Sequence, residues 1–237
     1  MAKEDHRWML ETGKLSDFKL ICRGKEIHVH KIMLASHSKY FETFFNSSFK
    51  VENIYGVIYF EDVEPEVMRH LLDYFYKGTT DWKAHKADLV LHVRLWDLAN
   101  RLEALKIMLT IEKRMMTALW SYKSKPLAMN LIDLVFTHPR CAGSALGYIV
   151  SEAAWILYID TRRPDAAAWV TSALSRYHNL SNLMVWWSAR YAKSSSKHGI
   201  PVLSINTVDV RSKLIEGFLT KIPQDPAETW FQPEAKP

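Results

Sequence analysis

Two short groups of residues in this chain could carry chemistry, and the first is a pair of histidines. His28 and His30 alternate in a segment that is predicted to be extended, so both imidazole rings would lie on one face of a strand, as zinc ligands do. Cys22 is the nearest thiol, and no third ligand stands at an informative spacing from the pair. An alternating strand accounts for both histidines, and we therefore predict no metal site.

The second group surrounds Ser144, in the segment of small residues from Cys141 to Gly147. A nucleophilic serine of the GxSxG type lies between two glycines directly after a strand. Here only Gly143 precedes Ser144 directly, and no strand is predicted before it, so we interpret the segment as the entry to a helix. The chain has 8 glycines and no glycine-rich phosphate loop. We therefore predict no catalytic residue, no cofactor, no small-molecule substrate and no enzymatic activity.

The bulk composition favours a globular protein with a sizeable core. Of the 237 residues, 48% are hydrophobic and 24% are charged. The net charge of +5 comes from scattered basic residues and not from one basic block, so it favours a solvated surface over a nucleic-acid interface. Nine tryptophans are many for this length, which indicates that some lie at an inter-domain or partner surface.

The N-terminal residues and the two cysteines indicate the cellular compartment of the protein. The first residues, MAKEDHRW, are charged and lack the apolar core of a signal peptide, and no run of about 18 apolar residues would span a membrane. Cys22 and Cys141 lie far apart, as expected for small buried side chains in a reducing compartment. We therefore expect a cytoplasmic and/or nuclear protein that does not bind membranes.

Hydrophobic periodicity predicts a first half that mixes strands and helices. Phe18, Leu20 and Cys22 alternate with other residues, which predicts a strand that buries one face. The aromatic residues from Tyr40 to Phe45 follow helical spacing after Ser38, whose side chain can cap that helix. In chain order the predicted elements are a strand at 18–22, a turn at Gly24–Lys25, a strand at 26–30, a helix at 31–35, the aromatic helix, a strand at 57–61 and a helix that starts near Pro65.

The second half is predicted to be helical throughout. Leucines from Leu91 to Leu109 recur every three or four residues, and the pattern drifts near Leu102–Ala104, which predicts a break there. The segment Ser124–Pro126 is the candidate boundary between two modules. Further helices are predicted at 127–138, 145–158, 166–192 and 207–220, with a polar break at 193–198.

Several residues of the first half follow a pattern that is distributed along the chain. Asp17 opens the first strand, and His30–Lys31 ends the second. The segments LLDYFY at 71–76 and LWDLANRL at 95–102 follow in the predicted helices. These residues, and the order strand–strand–helix–helix–strand–helix, resemble the BTB (POZ) family, whose fold is a protein–protein interaction module.

The resemblance implies an α+β fold, in which a BTB/POZ core with a small mixed sheet capped by helices is followed by an all-helical extension. The segment NLIDLVFTHP at 130–139 is similar to the region after the BTB domain in many fungal-type BTB proteins. We accordingly divide the chain into a lead-in at 1–15, the BTB/POZ domain at 16–121, the helical extension at 126–192 and a partly ordered tail at 193–237.

The resemblance also implies which residues face partners. In some relatives the aspartate of the first strand and the basic residue after the histidine line a pocket at the dimer cleft, so Asp17 and Lys31 are partner candidates. A structural interpretation stands beside this one, because Asp17 can accept backbone N–H bonds and His30 can bond the backbone of the neighbouring helix. Tyr40 is a further partner candidate, although it can instead fill the core with Phe41.

One segment bears on the kind of partner. BTB domains that recruit cullin scaffolds often carry a hydrophobic-x-Glu segment after the helical hairpin, and its apolar side chain docks in the cullin. In this chain Phe49 and Glu52 stand at that place, separated by two residues and not by one. The resemblance therefore implies a cullin contact at Phe49 and Glu52, and ordinary core packing of Phe49 is the alternative.

Aromatic residues near the end of the chain are also candidates for partner contacts. Trp186 and Trp187 are adjacent on a predicted helix, so they point in different directions and one is expected to pack against the BTB helices or a partner. Trp230 and Phe231 lie in a proline-rich tail, where they are predicted to form a short peptide ligand.

Two functions are open from the sequence. The first is a non-catalytic adaptor that links a bound partner to a cullin-type ubiquitin ligase. The second is a self-associating scaffold or transcription-associated protein with no ligase role. BTB dimers often exchange an N-terminal helix and strand, and only 15 residues precede Ser16, so we expect a monomer or a weak dimer.

Overall fold

The computed structural model describes residues 5–47, 55–78, 88–120, 127–159 and 164–198. The chain forms two compact units, Met1–Val185 and Trp186–Pro237. The sheet and the core described below lie in the first unit. In the second unit, the rings of Trp186 and Trp187 contact each other edge to face, with their centroids 4.7 Å apart.

A three-stranded mixed sheet lies in the first half of the chain. Its strands are β1 (Phe18–Cys22), β2 (Lys25–Val29) and β3 (Val57–Phe60). In the spatial order β2-β1-β3, β1 is antiparallel to β2 and parallel to β3. Phe18, Leu20 and Cys22 are buried and the residues between them are half-buried, because successive side chains of a strand point to opposite faces. The predicted strand with one buried face is confirmed.

The turn between β1 and β2 consists of Arg23 and Gly24, one residue earlier than predicted. Both residues have positive φ, 47° for Arg23 and 78° for Gly24, and Cys22 pairs with Lys25 across the turn. A two-residue hairpin of type I′ requires this left-handed conformation at both positions, because only then does the turn match the twist of the strands. Lys25 therefore belongs to β2, and the prediction of a turn at Gly24–Lys25 was wrong.

Two short helices, α1 (Arg7–Thr12) and α2 (Lys31–Ala35), precede α3 (Lys39–Asn46). The α2–α3 pair is the predicted helical hairpin. Ser38 caps α3, because its Oγ accepts the backbone N–H of Phe41 at 3.2 Å. Phe41 and Phe44 are buried, which confirms the predicted aromatic stripe.

Three longer helices follow, namely α4 (Pro65–Lys77), α5 (Leu89–Arg101) and α6 (Leu105–Trp120). Pro65 lies in the first turn of α4 as predicted, because that turn leaves its N–H groups unpaired in any case. Helices α5 and α6 are separated at Leu102–Ala104, where Glu103 has a φ of 52°. The break predicted at this place is confirmed.

Helix α1 packs against α4 and contacts β2. Leu10 is buried in the core, and the backbone N–H of His6 donates to the carbonyl oxygen of Tyr76 at 3.1 Å. Trp8 lies on the exposed side of the same helix. The lead-in predicted from the sequence therefore contains a helix that is docked on the domain of its own chain.

The second half is helical, with α7 (Leu127–Thr137), α8 (Pro139–Ala142), α9 (Ala145–Ile159), α10 (Pro164–Arg176) and α11 (His178–His198). Helix α7 packs on α5, and α9 packs on α6, α7 and α10. Leu131, Leu146 and Ala154 are fully buried and belong to the same cluster as the core of the first half. Apolar burial is the main stabilising contribution to such an arrangement, so the first half and the extension stabilise each other.

The structure corrects two predictions for this half. The single helix predicted at 166–192 is two helices, interrupted at Tyr177, whose hydroxyl donates to Asp133 Oδ1 of α7 at 2.9 Å. The polar segment 193–198, predicted as a break, belongs to α11. A helix keeps its backbone hydrogen bonds whether or not its side chains are apolar, so polarity alone did not mark the end of this one.

Some predictions fall outside the described residues. These are the boundary at Ser124–Pro126 and the helix at 207–220. The division of the chain into four parts remains a prediction. Among the helices of the described ranges, none combines the length and the apolar character that a membrane crossing needs.

Candidate interaction surface

The start of β1 and the start of α2 meet through a side-chain-to-backbone hydrogen bond. Oδ1 of Asp17, an exposed residue, accepts the backbone N–H of Lys31 at 2.8 Å. His30 precedes α2 and offers the helix no side-chain cap. Asp17 therefore pairs one of the N–H groups that the first turn of a helix leaves open, as expected from the sequence.

The side chain of Lys31 lies over two aromatic rings. Its Nζ atom is 5.4 Å from the ring centroid of Phe18 and 5.5 Å from that of Phe45. Those two rings meet edge to face at 5.0 Å. An ammonium group at this distance is attracted by the ring electrons, so the charge of Lys31 is held where β1, α2 and α3 come together.

His30 does not lie beside His28 on the exposed face of the sheet, because β2 ends at Val29. The His30 side chain is buried, and its Nε2 atom lies 2.8 Å from the carbonyl oxygen of Lys14. A carbonyl oxygen only accepts, so Nε2 is the donor in this contact. His28 is exposed and lies 3.5 Å from the hydroxyl of Ser16. The two imidazoles thus have different surroundings.

His30 also contacts the hydroxyl of Tyr76. This oxygen accepts the backbone N–H of His30 at 2.9 Å, and it lies 2.8 Å from Nδ1 of the ring. Burial raises the pKa of Tyr76 to about 12, so the hydroxyl keeps its proton. The expectation that His30 bonds the backbone of a neighbouring helix was wrong.

Tyr40 is half-buried on α3 and mainly packs against other aromatic rings. Its ring centroid is 5.3 Å from that of Phe41 and 6.2 Å from that of Phe44. The structural interpretation of Tyr40 therefore has direct support, and its role towards a partner remains a prediction.

Four predicted partner residues, Phe49, Glu52, Trp230 and Phe231, lie outside the described residues. The structure adds exposed apolar side chains that the sequence reasoning did not single out, namely Leu15, Ile32, Tyr55 and Tyr59. The exposure of Tyr59 could have been predicted from the alternation of β3. Ile58 and Phe60 are the buried positions of β3, so the alternation of a strand places the residue between them outward.

The carboxyl group of Glu112 is buried without a counter-charge among the described residues. Glu112 of α6 is 5% exposed, and its Oε1 accepts the indole N–H of Trp96 at 2.9 Å. Within the described part of the chain, Oε2 has no hydrogen-bond partner. Burial raises the pKa of Glu112, and the bond from Trp96 opposes that shift.

The two thiols are buried and unreactive in character. Burial raises the pKa of Cys22 to about 11 and that of Cys141 to about 12, so neither is a thiolate at neutral pH. In the described ranges, no three side chains of His, Cys, Asp or Glu form a group that could hold a metal ion. Ser144 accepts the backbone N–H of Leu146 at 3.1 Å, which supports its interpretation as a helix-entry residue.

Comparison with known proteins finds a family match in the first half of the chain. The family model described as the BTB/POZ domain matches residues 8–115. The Sex determination protein fruitless of Drosophila melanogaster is 37% identical over 70 residues, which are 30% of this chain and 7% of that protein. The Kelch repeat and BTB domain-containing protein 4 of Homo sapiens is 31% identical over 84 residues, which are 35% of this chain and 16% of that protein.

The matches therefore span 7% and 16% of the length of these two relatives. A solved structure, the BTB domain of zebrafish PATZ1, aligns with 45% of this chain and 80% of its own chain, at 20% identity and a TM-score of 0.37.

Residues 8–115 are a BTB/POZ domain, as the sequence predicted. The α+β fold with a small mixed sheet and a helical extension is confirmed with it. Domains of this family are non-catalytic modules that bind other proteins. The matched residues begin at 8, so they include helix α1 except for its first residue, Arg7. The similarity of the extension to fungal-type proteins remains a prediction.

Proposed function

We propose that this protein is a non-catalytic adaptor that links a bound partner to a cullin-type ubiquitin ligase. The observation that carries the proposal is the match of residues 8–115 to the BTB/POZ domain. One similar protein combines a BTB domain with kelch repeats, as its name states. In the present chain a helical extension follows the BTB/POZ domain. The adaptor acts by burying surface, without contacting nucleic acid directly.

The proposed cullin contact is the segment that contains Phe49 and Glu52. Helix α3 ends at Asn46, shortly before this segment, and Tyr55, shortly after it, is 76% exposed. Tyr59 is exposed on the outward face of β3. Aromatic side chains at the centre of an interface contribute much of its binding energy. The exposed tyrosines next to the segment therefore support a docking surface around Phe49.

Affinity purification of the tagged full chain with mass spectrometry tests this proposal. We expect the wild-type chain to capture a cullin and the Phe49→Ala variant to lose it. Trp8→Ala removes another exposed aromatic side chain, on α1, and serves as the matched control that keeps the capture. Circular dichroism verifies that both variants are folded. Absence of any cullin from the wild-type purification, or equal capture by Phe49→Ala, contradicts the proposal.

A second candidate function is self-association, and a specific surface favours it. Leu15 is 79% exposed and Ile32 is 73% exposed. Leu15 follows Lys14, whose carbonyl oxygen contacts the His30 ring. Ile32 follows Lys31, whose backbone N–H donates to Asp17. These two contacts bring together the backbone segments that carry Leu15 and Ile32. Large exposed apolar side chains that lie close together are typical of protein interfaces. We infer a weak dimer through this surface.

Sedimentation equilibrium of the purified full chain tests self-association. A dissociation constant in the micromolar range, weakened by Ile32→Asp, is the expected result. A purely monomeric chain contradicts self-association, and a tight nanomolar dimer contradicts the weak interface. Because Ile32 and Phe49 are separate residues of the chain, Ile32→Asp is expected to retain the cullin and Phe49→Ala is expected to retain the dimer.

We also infer a cytoplasmic and/or nuclear location, because the ligase system of the proposal operates there. A fluorescent fusion of the full chain is expected to fill one or both compartments. Secretion of the fusion, or its retention at a membrane, contradicts this inference.

A further inference from the structure

Strand β3 forms one edge of the sheet, and part of its backbone faces away from β1. The backbone N–H of Lys19 donates to the carbonyl oxygen of Gly56 at 2.9 Å, which fixes the register of the parallel pair. Backbone groups alternate along a strand, so Ile58 directs its N–H and C=O towards β1, whereas Val57 and Tyr59 direct theirs outward. Within the described ranges, no hydrogen bond reaches these outward groups.

The outward groups of β3 form a template for another extended chain. A row of unpaired N–H and C=O groups at a sheet edge pairs readily with a further strand, and proteins usually protect such edges with charged side chains or proline. The sequence of β3, VIYF, contains neither. Its length of four residues limits the strength of any pairing, so the edge favours a weak interaction.

The opposite edge of the sheet is protected. The strand at that edge, β2, has exposed charged side chains at Lys25 and Glu26, and Glu26 pairs with Lys19 at 3.1 Å. Helix α1 also contacts β2. Charge and a covering helix are among the usual ways in which proteins prevent pairing at an edge. The contrast between the two edges indicates that β3 is the strand that accepts another one.

The side chains beside the open edge suit an added strand. Tyr59 is 57% exposed and Val57 is half-buried on the outer face of the sheet. Ile58 and Phe60 are buried on the inner face. Tyr59 lies opposite Ile21 of β1, which is half-buried on the same outer face. Cross-strand pairs of aromatic and β-branched side chains stabilise a sheet, so the edge favours a strand that brings a β-branched residue to Tyr59.

We propose that β3 pairs with β3 of a second copy of this chain, in antiparallel orientation about a two-fold axis. In the register that places Val57 of each copy opposite Tyr59 of the other, the outward N–H and C=O groups of both residues find partners. The ring of Tyr59 then packs against the β-branched side chain of Val57 across the axis. The strand thus supplies both halves of the interface, as the symmetry of a two-fold dimer requires.

The charges that follow β3 also favour a second copy in this orientation. Glu61 and Asp62 are exposed directly after the strand. Antiparallel pairing places the Glu61 side chains of the two copies at opposite ends of the paired strands, roughly 20 Å apart. This distance exceeds the screening length of about 8 Å at physiological salt. Parallel pairing would place the same carboxylates side by side, where they repel each other.

This interface differs from the surfaces described above. Pairing through β3 requires neither a cullin nor the surface around Leu15 and Ile32, which belong to other segments of the chain. Tyr59 also borders the proposed cullin contact, so we expect a cullin and a second copy to compete for this edge. Where both self-association surfaces are occupied, dimers join into larger assemblies.

Disulfide trapping with the full chain tests the register directly. Chains with Val57→Cys are mixed with chains with Tyr59→Cys, oxidised with copper phenanthroline and separated by non-reducing electrophoresis. We expect a covalent dimer in the mixture, because opposite residues of an antiparallel pair lie within bridging distance. Each variant alone is expected to crosslink far less, since its own cysteines are diagonal neighbours roughly 8 Å apart. Cys22 and Cys141 are buried, so the wild-type chain is the control that stays without a crosslink.

Tyr59→Pro and Tyr59→Thr separate strand pairing from a contact of the ring alone. Both variants lose the ring, but proline also removes the outward N–H, which β1 does not use, so both are expected to fold. Sedimentation equilibrium in an Ile32→Asp background excludes the other self-association surface. We expect Tyr59→Pro to weaken self-association about tenfold or more relative to Tyr59→Thr, because a hydrogen bond is lost on each side of the axis. Circular dichroism verifies the fold of each variant.

The outcomes separate this proposal from the proposed function. Phe49→Ala, added to both cysteine variants, is expected to leave the crosslink intact, whereas it removes the proposed cullin contact. Absence of a crosslinked dimer at high micromolar concentration overturns the proposal, as does equal crosslinking in the mixture and in either variant alone. Equal self-association of folded Tyr59→Pro and Tyr59→Thr variants also overturns it. If the proline variant does not fold, the crosslinking experiment decides.

Discussion

The hydroxyl oxygen of Tyr76 on α4 accepts the backbone N–H of His30 at 2.9 Å and lies 2.8 Å from Nδ1 of the same residue. One phenol group therefore binds both the backbone and the side chain at the point where β2 passes into α2. The opposite ring nitrogen, Nε2, lies 2.8 Å from the carbonyl oxygen of Lys14, just before β1. These contacts fix the position of the adjacent Lys31 and of Asp17.

Removal of this hydroxyl is expected to destabilise the domain. In a Tyr76→Phe variant, the N–H and Nδ1 of His30 lose a partner inside the core, and an unsatisfied buried group typically costs about 1–3 kcal/mol. Urea denaturation followed by circular dichroism measures the free energy of unfolding. Tyr59→Phe removes an exposed hydroxyl and is expected to change that free energy by less than about 0.5 kcal/mol. Equal stability of Tyr76→Phe and the wild type contradicts the assigned role.

The buried carboxyl of Glu112 predicts a dependence of stability on pH. Its pKa is raised in the folded state, because burial disfavours the charged form. The folded state therefore binds a proton more tightly than the unfolded chain does. This contribution to stability is fully present below the ordinary pKa of the carboxyl group, and it is lost as the pH rises through the folded pKa.

A Glu112→Gln variant measures this contribution. The amide cannot ionise and its oxygen can still accept from Trp96, so the variant is expected to gain stability relative to the wild type as the pH rises, by about 1–3 kcal/mol. Thermal denaturation of both proteins at acidic and alkaline pH gives the difference. Glu66→Gln, at an exposed carboxyl on α4, is the control that lacks the effect. A constant difference between wild type and Glu112→Gln at all pH values contradicts the prediction.

The contact from Asp17 to Lys31 is expected to stabilise the start of α2. An Asp17→Ala variant leaves the Lys31 N–H without this acceptor, and loss of a comparable helix cap costs about 1 kcal/mol. An Asp17→Asn variant keeps an oxygen at the same place and is expected to retain most of the stability. Chemical denaturation of the three proteins checks the order. If Asn and Ala behave alike, the contribution of Asp17 comes from its charge and not from this hydrogen bond.

Much of the fold was predictable from the sequence, because local rules determine it. Alternation predicted the buried face of β1, helical spacing predicted the stripe that buries Phe41 and Phe44, and the drift of the leucine pattern predicted the break near Glu103. In each case the signal and the structure involve residues that are close in sequence. The boundaries of the β1–β2 turn and of α11 were less accurate, since several residue types suit either side of such a boundary.

Contacts between distant residues were less predictable. The bonds of His30 to Tyr76 and to Lys14 depend on how α4 and the segment before β1 meet, and no spacing in the sequence indicates this. The pair of Glu112 with Trp96 likewise requires two helices to fold back on each other. The place of Arg23 in the β1–β2 turn is visible only once the register of the two strands is known.

The proposed cullin contact of the BTB/POZ domain lies in the segment that contains Phe49. The most direct measurement is isothermal titration of the purified full chain with purified cullin scaffolds, each tested separately, together with the Phe49→Ala and Trp8→Ala variants. We expect at least one scaffold to bind the wild type and Trp8→Ala, with loss of binding in a folded Phe49→Ala variant. Binding that persists in Phe49→Ala, or no binding of any scaffold by the wild type, contradicts the proposed contact.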